Sequence, residues 1–407
     1  MSPILFHRCP IGGGRIGRLA VNGSASETQD AVRIEPVDGR ASLDRFIRLP
    51  WSVYADDANW VPPLLMERRA HLSAKTNPFF AHADVKFWLA YRGSRCSGRI
   101  SAQVNHAHLE AHNDATGHFG FLEAEDDSET FHALLDAAER WLREKQMRRV
   151  RGPFSFSIND ESGVLVDGFD TPPSLMMGHA FPYYATRIEE QGYVKAKDLI
   201  AYDYEIHHRM PSPAKALVDR VRESREVTLR PLQMSRYKED IGVILDIFND
   251  AWSRNWGFVP LSEAESQQVA KDLKPLVRAD LVCIAEVEGE PAAMAVSLPN
   301  LNEAIADLNG SLFPWGWLKL LWRLKVGGLR TARVMLMGVR RRHHGTPLGA
   351  ALAFAVIDAI RAGHERRGFK KAELSWVLED NTSMCRVIDS IGGRPYKTYR
   401  IYQKALD

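Results

Sequence analysis

The chain of 407 residues is poor in cysteine, in net charge and in long apolar runs, and each shortage removes a class of function. Its four cysteines, Cys9, Cys96, Cys283 and Cys385, are too scattered for a thiolate zinc set or a disulfide framework. They fit a reducing compartment, and no metal site is expected. The 53 Lys and Arg nearly cancel the 51 Asp and Glu, leaving a formal charge of +2, which argues against nucleic acid as a partner. No stretch of about 18 apolar residues occurs, so no membrane-spanning helix is expected. The apolar run Pro3 to Phe6 is too short for a secretory signal, so a cytoplasmic chain is expected. Hydrophobic residues are plentiful at 45%, ample for two cores, and the length itself makes two domains the first expectation.

Residues 1 to 30, rich in Gly, Ser, Arg and Asn, read as a disordered tail. From Arg33 the pattern alternates: a short strand, a helix from about Leu43, strands over Val85–Tyr91 and Gly98–Val104 with a turn at Gly93, and a strand over Phe119–Ala124. A helix with Phe131, Leu134, Leu135, Ala138 and Leu142 on one face follows, then a strand from Arg148 to Phe156. Ser157 to Pro182 reads as irregular chain. A short helix and strands over Tyr193–Tyr204 close the first half, and a proline-bearing linker begins at His207. The second half repeats this order. Asn59-Trp60 matches Asn255-Trp256, Gly93 matches Gly289 at an offset of 196, Asn105 matches Asn300 at 195, and Gly192 matches Gly392 at 200. Several pairs in order at nearly one offset indicate two copies of one fold. The expected division is a domain over 31–206, a linker over 207–226 and a second domain over 227–407.

The copies differ in charge after the central strand. The first has Glu123, Glu125, Asp126 and Asp127 where the second has Arg340, Arg341 and Arg342. Carboxylates there repel an anion by several kcal/mol at an effective dielectric of about 20. The second copy is also longer between its matching asparagine and glycine, and the excess is an insertion at 308–333. Trp315, Trp317 and Trp322 sit in it among leucines, with Lys319, Arg323, Lys325 and Arg330. It is too short and too charged to span a bilayer. Trp315 to Arg330 fits an interfacial segment with rings at headgroup level and cations reaching phosphates. A helix packing on its own domain is the competing reading.

The most informative stretch runs from Leu336 to Leu352. An apolar run ends in three arginines, a loop with His343, His344 and Gly345 follows, and Thr346 stands where it can cap a helix with Pro347 in its first turn. Strand, basic glycine loop and helix start together make an anion site. The stretch resembles the coenzyme-A loop of the GNAT acyltransferase superfamily, with His344-Gly345-Thr346-Pro347-Leu348-Gly349 in the register of that pattern. It departs from the pattern where His344 replaces Arg or Gln and where Pro347, lacking an N–H, replaces the first glycine. The resemblance implies a mixed α/β (α+β) architecture of two tandem GNAT-like domains, each a mixed central sheet flanked by helices. It implies acyl-coenzyme A as co-substrate, held by Met337, Gly338, Val339, Arg341, Arg342, His343, His344, Gly345, Thr346, Leu348, Gly349 and Asn381 of the second copy. The first copy, with its carboxylates, is expected to hold none.

Acyl transfer from a thioester to an amine needs the amine deprotonated, the carbonyl oxygen stabilised and the thiolate released. No covalent nucleophile is required when donor and amine are held together. GNAT proteins place a tyrosine acid in the last helix, and this chain has Ile388 there. Ionisable groups are concentrated instead in Ser157 to Tyr184, a long loop of the kind that is usually functional. Candidates for the base are Glu161, Asp160 and His179, then Glu379, with Tyr184 as a substitute acid. Each has a plainer role: turn-making for Asp160, core packing for His179 and Tyr184.

Taken whole, with Asn159-Asp160-Glu161-Ser162-Gly163 and Asp167 to Pro173, the chain resembles the bacterial ceramide synthase group of GNAT-type proteins. That resemblance implies transfer of a long acyl chain from acyl-coenzyme A to the amine of a sphingoid base, at the cytoplasmic face of a membrane. Two alternatives stand at this point. One is an N-acetyltransferase for a small soluble amine or amino acid. The other is a non-catalytic acyl-coenzyme A or lipid-binding protein, suggested by Pro347 and Ile388.

Overall fold

Strands exchanged between two similar halves hold the chain together. The computed structural model describes residues 31–407; the expected disordered tail and Cys9 lie outside the described residues. The first half runs β1 (Val32–Pro36), α1 (Arg40–Arg48), α2 (Pro50–Val53), α3 (Leu65–His71), β2 (Ala83–Arg92), β3 (Arg95–Asn105), α4 (His106–His112), β4 (Thr116–Ala124), α5 (Ser128–Glu144), β5 (Arg149–Gly152), β6 (Val164–Asp167), α6 (Tyr183–Glu189) and β7 (Val194–Glu205). After α7 (Ser212–Glu223) the second half runs β8 (Val227–Pro231), α8 (Tyr237–Trp252), α9 (Glu263–Leu273), β9 (Val282–Val287), β10 (Glu290–Pro299), α10 (Leu301–Ile305), α11 (Gly316–Trp322), β11 (Thr331–Val339), α12 (Pro347–Arg367), β12 (Lys371–Leu378), α13 (Thr382–Ser390) and β13 (Arg394–Ala405).

The order of elements repeats, and the paired residues of the sequence do the same jobs in both halves. Gly93 and Gly289 turn the β2–β3 and β9–β10 hairpins at φ 57° and 84°, where a side chain would be strained. Asn105 and Asn300 cap α4 and α10 by accepting backbone N–H bonds. All strands lie in one mixed sheet, in the order β1-β2-β3-β4-β5-β13-β7-β12-β11-β10-β9-β8, with β6 on β13. The last strand of the second half, β13, therefore lies between β5 and β7, and the last strand of the first half, β7, reaches β12. Tyr399, Ile401 and Tyr402 of β13 are fully buried in the core that α5 and β3 build. Each such burial contributes about 2 kcal/mol from apolar area alone.

Three segments differ from the expectations. The strand expected to reach Phe156 stops at Gly152, because Pro153 has no N–H to continue the ladder. The long irregular loop contains β6, paired with Thr398–Arg400 of β13. Between the halves, α7 starts at Ser212 with Pro213 in its first turn, and Val221 packs on Ala351 and Ala355 of α12.

Two buried histidines make the fold acid-sensitive. His108 lies 4.5 Å from the His112 ring and 4.6 Å from the His118 ring, with Nε2 3.1 Å from Asp114 Oδ1. His364 Nε2 lies 2.8 Å from Ser297 Oγ. Burial holds both down to about 4. A folded-state value below the unfolded one means that protonation favours the unfolded chain. Their contribution is complete above pH 6.5 and is lost as the pH falls toward 4. Urea unfolding at pH 7 and pH 5 is expected to show a loss of about 2 kcal/mol per histidine. His108→Gln and His364→Gln should each flatten that slope; an unchanged slope in both would assign the acid sensitivity elsewhere.

Candidate functional site

The site begins where two parallel strands part. β11 and β12 pair only over Thr331–Val334 and Lys371–Leu374. Beyond that point β12 follows β7, with an irregularity between Leu374 and Val377, and the facing edge of β11 is left unpaired by β12. The gap opens into a cavity of about 840 Å³, part of it continuous with solvent. Met335 and Met337 of β11, Trp376 and Val377 of β12, Ile357 and Ile360 of α12, and Met384 and Ile388 of α13 make its walls apolar. Its polar groups include Tyr204, Asn255, Ser375, Asn381, Arg361 and His364, with no carboxylate among the described lining residues. Arg361 is neutralised by Asp358 and Glu365 of its own helix, at 2.8 and 2.5 Å.

The basic loop stands at the end of β11, beside this gap. Thr346 caps α12: its hydroxyl accepts from Gly349 N at 3.0 Å and donates to His343 O at 2.8 Å. Pro347 occupies the first turn. Gly349 is required by close approach, since a Cβ there would lie 2.0 Å from His343 O. Gly345 turns the loop at φ 72°. His344 Nε2 lies 2.7 Å from Val339 O, tying the loop to the strand. Met337 O accepts from Trp252 Nε1 at 3.3 Å, and Gly338 packs closely on Ala251. Leu348 packs into the core beneath α12. Asn381 caps α13 through Met384 N at 3.2 Å.

The arginines divide the work. Arg340 is committed to Asp246 and to Pro291 O. The Arg341 backbone N–H is held by Asp250 at 2.8 Å, and its guanidinium donates to the neutral Ser253 hydroxyl at 3.2 Å. Arg342 is exposed, has no carboxylate partner among the described residues, and donates to His343 Nε2 at 3.1 Å. Burial and the neighbouring Arg342 lower the His343 pKa, so that ring is neutral near pH 7. Arg341 and Arg342, whose guanidinium groups meet no carboxylate among the described residues, thus stand with a helix start at the end of β11, and no residue of this loop lines the cavity itself.

The candidate bases are spread over the seam, and none lines the cavity. Asp160 holds Ser157 through its N–H at 3.2 Å and its hydroxyl at 2.8 Å, which is the turn-making role; burial pushes its carboxyl up. Glu161 pairs with Arg68 at 2.9 Å. His179 is bound to Asp57 at 2.7 Å, and burial pushes its pKa down against that partner. Tyr184 donates to Glu123 at 2.7 Å within a buried cluster that includes Tyr54. Glu379 pairs with Lys195 at 2.6 Å and accepts from Asp198 N at 3.1 Å. The structure brings Asp160 and Glu161 together, joins Tyr184 to His179 through the Tyr54 hydroxyl, and leaves Glu379 apart.

A second buried network has no motif in the sequence to mark it. Arg333 donates to Ser375 Oγ at 2.8 Å, to Ser375 O at 3.3 Å and to Leu175 O. Glu373 accepts from the hydroxyls of Ser375 and Tyr396. Lys397, 1% exposed, donates to Gly168 O at 2.5 Å and Thr171 O at 2.7 Å. These side chains bind the long loop of the first half to β11 and β13 of the second, beside the gap. Their signal in the sequence is a charge inside an apolar strand, as in Ala332-Arg333-Val334 and Ala372-Glu373-Leu374.

The matching place in the first half is closed. β4 and β5 pair over Thr116–His118 and Arg149–Arg151, but a Cβ on Gly120 would lie 1.8 Å from Phe154 O, so the chain itself fills the gap. The four carboxylates there are taken: Glu123 by Tyr54 at 2.5 Å, Glu125 by Arg95 at 2.6 Å, Asp126 by Arg187 at 2.8 Å and Asp127 by Arg92 at 2.7 Å.

No protein-family model matches the chain. It is 48% identical to protein YghO of Escherichia coli (strain K12) over 365 residues, 89% of this chain and 93% of that protein. It is also 48% identical to the bacterial ceramide synthase of Caulobacter vibrioides over 380 residues, 93% of this chain and 99% of that protein. Among solved structures, a tandem GNAT protein from the clavulanic acid biosynthesis pathway superposes with a TM-score of 0.52 at 12% identity, covering 92% of this chain and 99% of that one.

Gly349→Ala should lower stability by about 1–3 kcal/mol, because the methyl meets a backbone carbonyl that must shift. Denaturant titration checks this, and a wild-type midpoint would show that the loop is free to yield.

Proposed function

The chain belongs to the family of tandem GNAT acyltransferases represented by the bacterial ceramide synthase of Caulobacter vibrioides, and on that basis we propose that it moves a long-chain acyl group from acyl-coenzyme A to the amine of a sphingoid-type lipid base. The observation that carries this reading is the parting of β11 and β12 beside a basic helix start, with an apolar cavity between them. One end of that arrangement suits a pyrophosphate and the other a thioester with its alkyl group. We assign the pyrophosphate to the loop of Arg341, Arg342, His343, His344, Gly345, Thr346, Leu348 and Gly349, and the thioester arm to the edge of Met337, Gly338 and Val339, with Asn381 opposite.

The amine attacks the thioester carbonyl, the oxygen takes negative charge, and the coenzyme-A thiolate leaves as the amide forms. The amine proton needs an acceptor, and we assign that role to Glu161. It lies within electrostatic reach of Arg333, whose guanidinium bonds Ser375 in the cavity wall. Asp160 and His179 support the loop that carries it. Glu161 is paired with Arg68 as Tyr184 is with Glu123 and Glu379 with Lys195, and what ranks it first is its place beside Arg333. Apart from the loop arginines, the groups assigned to the donor are neutral, so the thioester lies against a largely apolar wall.

The lipid acceptor is supported by the insertion. Phe313, Trp315, Trp322 and Val326 are 78%, 70%, 59% and 72% exposed, an apolar surface that water disfavours. Lys319 and Arg323 share Asp307, while Lys325 and Arg330 are exposed. Among the described residues no helix is long and apolar enough to cross a membrane. The arrangement suits a protein resting on the cytoplasmic face of the inner membrane.

Mass spectrometry of products from acyl-coenzyme A and a panel of amines is expected to show an N-acylated long-chain base; amides of small soluble amines alone would replace the lipid reading. Arg341→Glu with Arg342→Glu should weaken coenzyme-A binding tenfold or more, and unchanged affinity would remove the loop assignment. Trp315→Ser with Trp322→Ser should reduce sedimentation with anionic vesicles; equal sedimentation would make the insertion a packing element.

A further inference from the structure

The third rung of each parallel strand pair carries a buried charge, and the two halves treat it differently. In the second half Arg333 stands opposite Glu373, with its guanidinium 3.7 Å from that carboxylate. In the first half the same rung pairs His118 with Arg151. These two are 6% and 8% exposed, so Arg151 is as buried as its counterpart, yet it stands opposite an imidazole. Among the described residues Asp114 is the one carboxylate within 4 Å of it. That carboxylate lies 3.9 Å from both Arg149 and Arg151 and is engaged by His108 Nε2 at 3.1 Å. Arg151 otherwise donates to Gln403 at 3.4 Å and rests over the Trp256 ring at 4.8 Å. Its Nε and His118 Nδ1 are buried and meet no hydrogen-bond partner among the described residues. A buried guanidinium with donors left unmet is costly.

Both residues line a cavity of about 300 Å³ beside the Phe154 backbone, part of it continuous with solvent. Asn105 lines it too; its side-chain oxygen is spent on the N–H groups of Ala107 and His108, which leaves its amide N–H groups to donate. Burial, with His108 and Arg151 nearby, pushes the His118 pKa down, so the ring is neutral and carries one N–H. Trp256, Gly257 and Val259 line the cavity from the second half. That segment is fastened where Phe258 O meets His112 Nε2 at 2.9 Å and where Val259 O accepts from Asn159 at 3.0 Å.

We propose that this cavity is a binding site for a small oxoanion, a carboxylate or a phosphate-sized group, which meets Arg151 and His118 in the part that Glu373 plays against Arg333 in the other half. Charged hydrogen bonds from a planar guanidinium suit such a group, and the aromatic walls of Phe154, Phe156 and Trp256 raise their strength by excluding water. The bound anion stands between a segment of the second half and Ser157, which lines the same cavity and is held by Asp160. Occupancy therefore joins the two halves at the loop that carries Asp160 and Glu161. The site is separate from the gap between β11 and β12, and its test does not depend on acyl transfer.

Thermal unfolding of the full-length protein at constant ionic strength compares sodium formate and sodium phosphate with sodium chloride. The midpoint is expected to rise and saturate with formate, phosphate or both, and not with chloride. Arg151→Gln should weaken that response about tenfold or more, the loss of a charged hydrogen bond, whereas Arg341→Glu with Arg342→Glu should keep it. His118→Glu supplies a carboxylate opposite Arg151, so it should raise the midpoint in chloride and abolish the response to the oxoanions. No saturable response, an equal response to chloride, or one that survives in Arg151→Gln and disappears in the loop variant would overturn the site. Crystals of the unaltered protein soaked in selenate need no folded variant: anomalous density within hydrogen-bond distance of Arg151 Nε is expected, and none there at saturating selenate would also overturn it.

Discussion

The exchange of terminal strands between the halves is the constraint on which the rest of the molecule depends. β13 supplies the buried Tyr399, Ile401 and Tyr402 of the first core, and β7 supplies the neighbour that draws β12 away from β11. The gap at the candidate site is thus a property of the whole sheet. β12 parts from β11 because its other edge is held by a strand from the opposite half. Lys397 and Arg333 then fasten the long loop of the first half across the seam. Buried cations of this kind are costly unless their donors are met; Lys397 meets two loop carbonyls and Arg333 meets one loop carbonyl and Ser375 of β12, so the loop and the gap are positioned together.

Duplication followed by divergence explains the two unequal wedges. Both halves retain the hairpin glycine, the asparagine cap and the parallel pair that separates after a few residues. In one half the separation is filled by the Phe154 backbone, and the carboxylates that would repel an anion are used to tie strands and helices together. In the other the separation stays open, and Arg341 and Arg342, whose guanidinium groups have no carboxylate partner among the described residues, stand at the end of β11. The first half has kept the scaffold and given its loop to the seam, where Leu175, Gly168 and Thr171 accept from Arg333 and Lys397.

What the sequence made legible was local. Gly93, Gly289, Asn105, Asn300 and Thr346-Pro347 act through their own backbone turns, and each could be placed from residue type alone. The tandem architecture followed from their order, and the arginine loop from its resemblance. The strand exchange could not be read, because β13 and β7 look like ordinary alternating strands and nothing in their residues names their neighbours. The cavity was equally hidden: Ile357, Ile360, Met384 and Ile388 have the composition of a packed core. Glu161, Asp160, His179, Tyr184 and Glu379 were visible as ionisable residues, but their partners, which lie up to 184 positions away, hold all five outside the cavity lining. Arg333 and Glu373 were overlooked because a charge in a strand reads as a solvent-facing position until its partners are known.

The swapped strand has a consequence for how the protein is made. The edge between β5 and β7 can be filled only after the entire second half has left the ribosome, so the first half emerges with an unfinished sheet and an exposed pair of strand edges. Neither half can reach its final form during its own synthesis. Translation delivers two incomplete pieces, and closure is a single late event in which both become complete together.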